Sequence, residues 1–189
     1  VYKRQSQSRA LFPLTSHLSR LTFFSSSYPS PAPAQIRSAA AWSWRRPGAA
    51  APARPRAAAR AAVDSETAAF VVEPVQGEGG VNVPRDGYLS ALRDLCDAAG
   101  ALLVFDEVIT GFGRTGKLFD LDQWGIEPDI VLFAKAITSV YFPFGGIGIS
   151  DGIAETLDAA KDTWMHAYTY SAHPVGCAVA LRTLRIIEE

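Results

Sequence analysis

One lysine and three carboxylates stand where short apolar runs end. Lys135 lies in Phe133-Ala134-Lys135-Ala136, directly after Ile130–Phe133, a run read as a strand. Apolar neighbours favour desolvation, which lowers an amine's pKa and yields the neutral nucleophile that covalent catalysis on a carbonyl requires. Read locally, a snorkelling surface lysine is the alternative. Glu73 follows the run at 68–72, and Asp106 and Glu107 follow the run at 101–105. Ligands of open parallel sheets gather outside the carboxyl ends of the strands, so these four residues are the first candidates for one shared cleft.

Other patterns carry less. Residues 111–116 read Gly-Phe-Gly-Arg-Thr-Gly, a literal dinucleotide fingerprint that would make the chain an NAD-binding oxidoreductase. That fingerprint needs its first glycine at the strand-to-helix turn and a helix beginning on the motif. Here Glu107 to Thr110 intervene, and the following stretch has no clear helical face before Gly125 and Pro128. His166, His173 and Cys177 do not have a standard zinc spacing, and no fourth ligand is evident. Neither a nucleophile elbow nor a phosphate loop of the GxxxxGK[ST] type occurs.

The elements that must position the candidates are legible from 64 onward. Tyr88, Leu92, Leu95, Cys96 and Ala99 recur at helical spacing, with Gly100 as a stop, so 87–99 is expected to be an amphipathic helix. The segment at 101–105 is apolar throughout, as in a strand covered on both faces. Strand, helix and strand in succession read as a βαβ crossover in a mainly parallel sheet. A fourth strand is expected at 147–149 and a second helix at 175–187. The fold class is therefore α/β.

Charge divides the chain. Its 18 Lys+Arg and 19 Asp+Glu nearly balance, but residues 1–63 hold ten of the basic residues and no acid. Such asymmetry argues for a tail or targeting segment joined to a folded unit, giving two regions, 1–63 and 64–189. The first is rich in Ser, then in Ala, Pro and Arg, shows no sustained period and is expected to be disordered. An organelle transit peptide, and hence a mitochondrial location, fits this composition; a misread 5′ region, a low-complexity tail or a basic nucleic-acid arm are the alternatives. A basic arm lacks the aromatic interleaving of nucleic-acid binders, so no nucleic-acid partner is expected. Without a presequence the protein is expected to be cytoplasmic. Residue 1 is Val and the only methionine is Met165, so the chain reads as a fragment. Two cysteines, Cys96 and Cys177, exclude a disulfide scaffold. No stretch approaches the roughly 18 uncharged apolar residues of a membrane helix.

Four segments taken together, EPVQGEGGVNVP (73–84), LLVFDEVITGFGRTG (102–116), PDIVLFAKAITSVYFPFGG (128–146) and YTYSAHPVGCAVAL (168–181), resemble the class III, fold-type I aminotransferases. The resemblance spans about 66–189 and is closest to the branch acting on ω-amino acids and amines with pyruvate or a similar acceptor. It implies part of the large domain of a transferase dependent on pyridoxal 5′-phosphate. By resemblance, Lys135 is the Schiff-base lysine and proton shuttle, Asp106 pairs with the pyridinium nitrogen, and Val108 packs on the ring. Thr169 matches a threonine that bonds the cofactor phosphate across a dimer interface, which implies a homodimer. Glu78 matches a glutamate that pairs, in ornithine-type enzymes, with a substrate-binding arginine expected beyond residue 189. The family usually has Gly where this chain has Ala136 and Val140, and ornithine-type enzymes have Gln at Ile109. The family's Gly-Ser-rich phosphate loop, its ring-stacking aromatic residue and its small C-terminal domain are not found in this sequence. An inactive truncated product is therefore a second reading, and the same lysine and aspartate would serve aminomutases and decarboxylases of the class.

Overall fold

The computed structural model describes residues 21–22, 35–38, 55–64, 66–160 and 169–189. Its elements in chain order are β1 (Leu21–Thr22), β2 (Gln35–Ser38), α1 (Pro55–Ala62), β3 (Thr67–Val72), α2 (Tyr88–Ala99), β4 (Leu102–Asp106), α3 (Leu121–Trp124), β5 (Ile130–Phe133), a 3₁₀ turn (Lys135–Thr138), β6 (Gly146–Ile149), α4 (Asp151–Ala159) and α5 (Pro174–Glu188). The strands form one sheet in the order β1-β6-β5-β4-β3-β2. The four strands from β2 to β5 run parallel, whereas β6 returns antiparallel to β5 and β1 lies antiparallel to β6. This is the expected α/β, mainly parallel arrangement.

β4 is central, and its three middle residues Leu103, Val104 and Phe105 are all buried, because neighbouring elements cover both faces. α2 packs on β3 and β4 through Leu89, Leu92 and Cys96, the buried residues of its apolar face. It stops where its last carbonyls find new donors. Gly100 takes the left-handed conformation at φ 67°, its N–H reaches the Asp97 carbonyl, and the Ala101 N–H reaches Cys96. That pair of bonds is the Schellman arrangement, and glycine adopts the required φ without strain. Asp129 ties α2 to the sheet: its Oδ2 accepts the Leu103 N–H at 2.7 Å and an Arg93 guanidinium N–H at 2.8 Å.

The structure departs from expectation within residues 1–63. Pro55–Ala62 is helical, Ala59 is buried in the core, and α1 packs against α2. Pro55 does not break this helix because it is its first residue, where a missing N–H costs nothing and a fixed φ helps. β2 also extends the sheet beside β3. β1 likewise pairs with β6, and apart from Val63 the other residues before 64, where disorder is expected, lie outside the described residues. Among the described residues no helix is long and apolar enough to cross a membrane.

Candidate active site

Three strand ends define the site. In the parallel register Val72 pairs with Phe105 and Asp106 with Leu132, so the carboxyl ends of β3, β4 and β5 lie side by side. Asp106 is the last residue of β4 and half-buried. Its Oδ1 accepts the Val108 N–H at 3.0 Å, a local turn in which an aspartate bonds the backbone two residues on. That bond starts the chain's departure from the sheet and leaves Oδ2 with no hydrogen bond among the described residues.

Lys135 follows the end of β5 by two residues. Ala134 is extended, and Lys135 then turns left-handed at φ 49° to open the 3₁₀ turn, which closes through Ser139 and Val140, also left-handed at φ 47° and 68°. Such angles are uncommon for residues other than glycine, and for β-branched Val140 they are strained. Buried Thr138 secures the turn by donating its hydroxyl to the Phe142 carbonyl at 2.6 Å. Lys135 itself is exposed, and its amine has no hydrogen-bond or ion-pair partner among the described residues. The expected apolar enclosure of this amine is not what forms. The neighbours Phe133 and Ile137 turn into the core, while the left-handed step at 135 leaves the lysine outside it.

The other candidates divide. Glu73 stands at its strand end, but its Oε2 accepts the Gly77 N–H at 2.9 Å and braces its own loop. Glu78 is exposed in the following turn, which is pinned by the Gln76–Asn82 bridge and by an Asn82 amide bond to the Gly79 carbonyl at 2.8 Å. This loop lies against Ile109, close in sequence to Asp106. Val108 is half-buried beside Asp106. Thr169 is exposed in the turn before α5, and α5 packs on the Lys135–Thr138 turn.

Glu107 is not a surface group of the cleft. It is fully buried and accepts three hydrogen bonds: from the Thr110 hydroxyl at 2.6 Å, the Asp120 N–H at 2.8 Å and the Leu121 N–H at 2.7 Å. Burial pushes its carboxyl pKa up, and the three donors oppose that rise. Asp106 and Glu107 thus point to different tasks, as adjacent residues leaving a strand do. The only sequence signal for this clamp is the residue alternation itself.

Residues 111–116 do not build a dinucleotide fingerprint. The Gly111 N–H bonds the Glu107 carbonyl, Gly113 bonds Lys117, and Gly116 bonds Gly113, so these amides close their own loop. Phe112 anchors it, with ring centroids 5.1 Å from Phe119 and 5.6 Å from Phe133. No helix starts on the motif; α3 begins only at Leu121. His173 stacks on Phe142 at 4.9 Å, His166 lies outside the described residues, and no metal-binding cluster of three or more His, Cys, Asp or Glu occurs among the described ones.

Comparison with known proteins gives one consistent neighbourhood. The family model for aminotransferase class-III matches residues 23–189. An acetylornithine aminotransferase of Methanosarcina mazei is 48% identical over 132 residues, covering 70% of this chain and 32% of that protein. A putrescine–pyruvate aminotransferase of Pseudomonas aeruginosa is 44% identical over 126 residues, covering 67% and 27%. The crystal structure of an amine transaminase from an uncultivated Pseudomonas species, in its PLP-bound form, aligns with a TM-score of 0.68 and 41% identity over 78% of this chain and 36% of that one. The chain thus spans about a third of the length of the proteins it matches. The family match begins at residue 23, inside the segment whose composition suggested a presequence, and the mitochondrial expectation finds no support.

Proposed function

The chain belongs to the class-III aminotransferases, and from that premise we propose that it carries the cofactor-binding core of a transaminase moving an amino group from an ω-amino acid or amine to a 2-oxo acid. The observation that supports this reading is the placement at adjoining strand ends of Lys135 and Asp106, with no partner for the amine or for Asp106 Oδ2, and no ion pair between them, among the described residues. A lysine and a carboxylate at adjoining strand ends, with no ion pair between them among the described residues, fit a flat, charged aldehyde ligand such as pyridoxal 5′-phosphate. When bound, it supplies an electron sink for the carbanion left by deprotonation of an amino-bearing carbon.

Each residue has one task. Lys135 Nζ would hold the cofactor and would carry a proton to and from the amino-bearing carbon of the substrate. Asp106 would hold the ring nitrogen protonated, with its Oδ1 remaining on the Val108 amide. Val108 packs on the ring face. Thr169 donates to the cofactor phosphate of a partner subunit in a homodimer. Val140, Tyr141 and Tyr170 support that assembly, because they are apolar or aromatic and 86%, 84% and 73% exposed in or beside the lysine turn and the Thr169 turn. Glu78 is the substrate-side residue of this scheme.

The test is amino transfer. The protein incubated with pyridoxal 5′-phosphate, an ω-amine and pyruvate should form alanine, and Lys135→Ala should abolish it. Equal alanine formation by Lys135→Ala would refute the assignment.

A further inference from the structure

α5 and the loop after Lys135 meet at a contact too close for any side chain at residue 176. A Cβ built on Gly176 would lie 2.8 Å from Phe144 Cδ2 and 2.9 Å from Phe142 Cδ1 and Cε1, nearer than real Cβ atoms come to such neighbours. Neither ring is free to retreat. Phe144 packs against the central core, and Phe142 is stacked on His173, the residue that caps α5, at 4.9 Å and 30° between planes. The Phe142 backbone is also fixed, because its carbonyl accepts the Thr138 hydroxyl at 2.6 Å from the turn that Lys135 opens. One chain of contacts therefore runs from Lys135 through Thr138 and Phe142 to His173 and Gly176. Four residues before His173 stands Thr169.

We propose that Phe142 and Gly176 are positioning residues of the cofactor site, a contact that sets the lysine turn and the Thr169 turn at one fixed separation. The inference rests on the function proposed above. If Thr169 serves the partner's cofactor while Lys135 serves its own, the same contact joins the two sites of a dimer. A Cβ at 176 forces α5 away from the 139–144 loop and carries Thr169 with it. A bound cofactor's phosphate would then lose the Thr169 hydroxyl, and loss of a hydrogen bond to a charged group costs on the order of tenfold or more in affinity.

The experiment measures pyridoxal 5′-phosphate affinity by absorbance titration and the ³¹P resonance of the bound phosphate, for the parent protein, Gly176→Ala, Phe142→Leu and the double variant. Thermal melting without cofactor reports folding separately. The expected result is roughly tenfold weaker binding and a shifted ³¹P signal in Gly176→Ala. The double variant should recover affinity only in part relative to Gly176→Ala, since Leu removes the two ring contacts at 2.9 Å but leaves the Phe144 contact at 2.8 Å. Should Gly176→Ala fail to melt cooperatively, Phe142→Leu carries the test, with weakened binding and a shifted ³¹P signal expected. Affinity within twofold of the parent and an unmoved ³¹P signal in the folded variants would overturn the proposal. A parent that binds no cofactor at all would overturn the functional reading, and this inference with it.

Discussion

Replacing Glu107 by Gln tests whether the residue beside the candidate site is a structural clamp. The change keeps shape and removes charge. Glu107 is 0% exposed and takes three donors, two on Oε2 and one on Oε1. A glutamine oxygen placed on the Oε2 side keeps the bonds from Thr110 and Asp120, but its NH₂ then faces the Leu121 N–H, donor against donor. Leaving one buried donor unsatisfied costs about 1–3 kcal/mol. At this chain length 1 kcal/mol corresponds to about 2–4 °C, so Tm should fall by roughly 4–8 °C for a cost of 2 kcal/mol. pH adds a second signature. Burial raises the folded-state pKa of Glu107 above its unfolded value of about 4.3. Stability from this group is thus fully present below the unfolded pKa and is lost as pH rises through the raised folded pKa. The glutamine does not titrate. The gap between parent and variant should therefore be widest on the acid side and narrow toward neutral pH, as read by thermal melts between pH 4 and 8. A variant that melts with the parent across that range would refute the clamp, and a constant gap would refute the titration.

Two further outcomes follow from the site. Asp106→Asn should keep the Val108 turn, because an amide oxygen can replace Oδ1, yet lose the charge that holds a protonated ring nitrogen; melting should stay near the parent's while alanine formation drops on the order of 10²-fold. Val140→Gly should relieve a β-branched residue held at φ 68°, where left-handed backbone costs about 1–2 kcal/mol, against the roughly 0.5–1 kcal/mol of extra chain entropy that glycine loses. A rise in Tm is expected, and a fall would show that the exposed Val140 side chain makes a stabilising contact.

The strands β3 to β5 were legible as short apolar runs, whereas β1 and β2 fall in residues expected to be disordered. Ile130–Phe133 reads directly as an apolar run, and the run at 68–72 lies within Thr67–Val72. α2 announced itself by its apolar spacing and Gly100, both of which act locally. Asp106 and Lys135 could be placed at strand ends for the same reason, whereas Val108 was named only by the family resemblance. What escaped reading depends on backbone angles or distant partners. Apolar neighbours around Lys135 suggested enclosure, but a left-handed φ reverses the outcome, and no residue type there encodes it. Glu107 looks like a second cleft carboxylate until Thr110, Asp120 and Leu121 fold back on it. α1 was hidden by length: two turns of an alanine-rich helix give no sustained period, and its stability comes from Ala59 packing in the core.

The central claim is that Lys135 forms the covalent link to pyridoxal 5′-phosphate. The chain has four lysines, Lys3, Lys117, Lys135 and Lys161, so the claim reduces to which of them is labelled. Borohydride reduction of the cofactor-loaded protein followed by peptide mapping should place the pyridoxyl group on Lys135 alone. A label on another lysine, or none on the peptide containing Phe133-Ala134-Lys135-Ala136, would contradict the account.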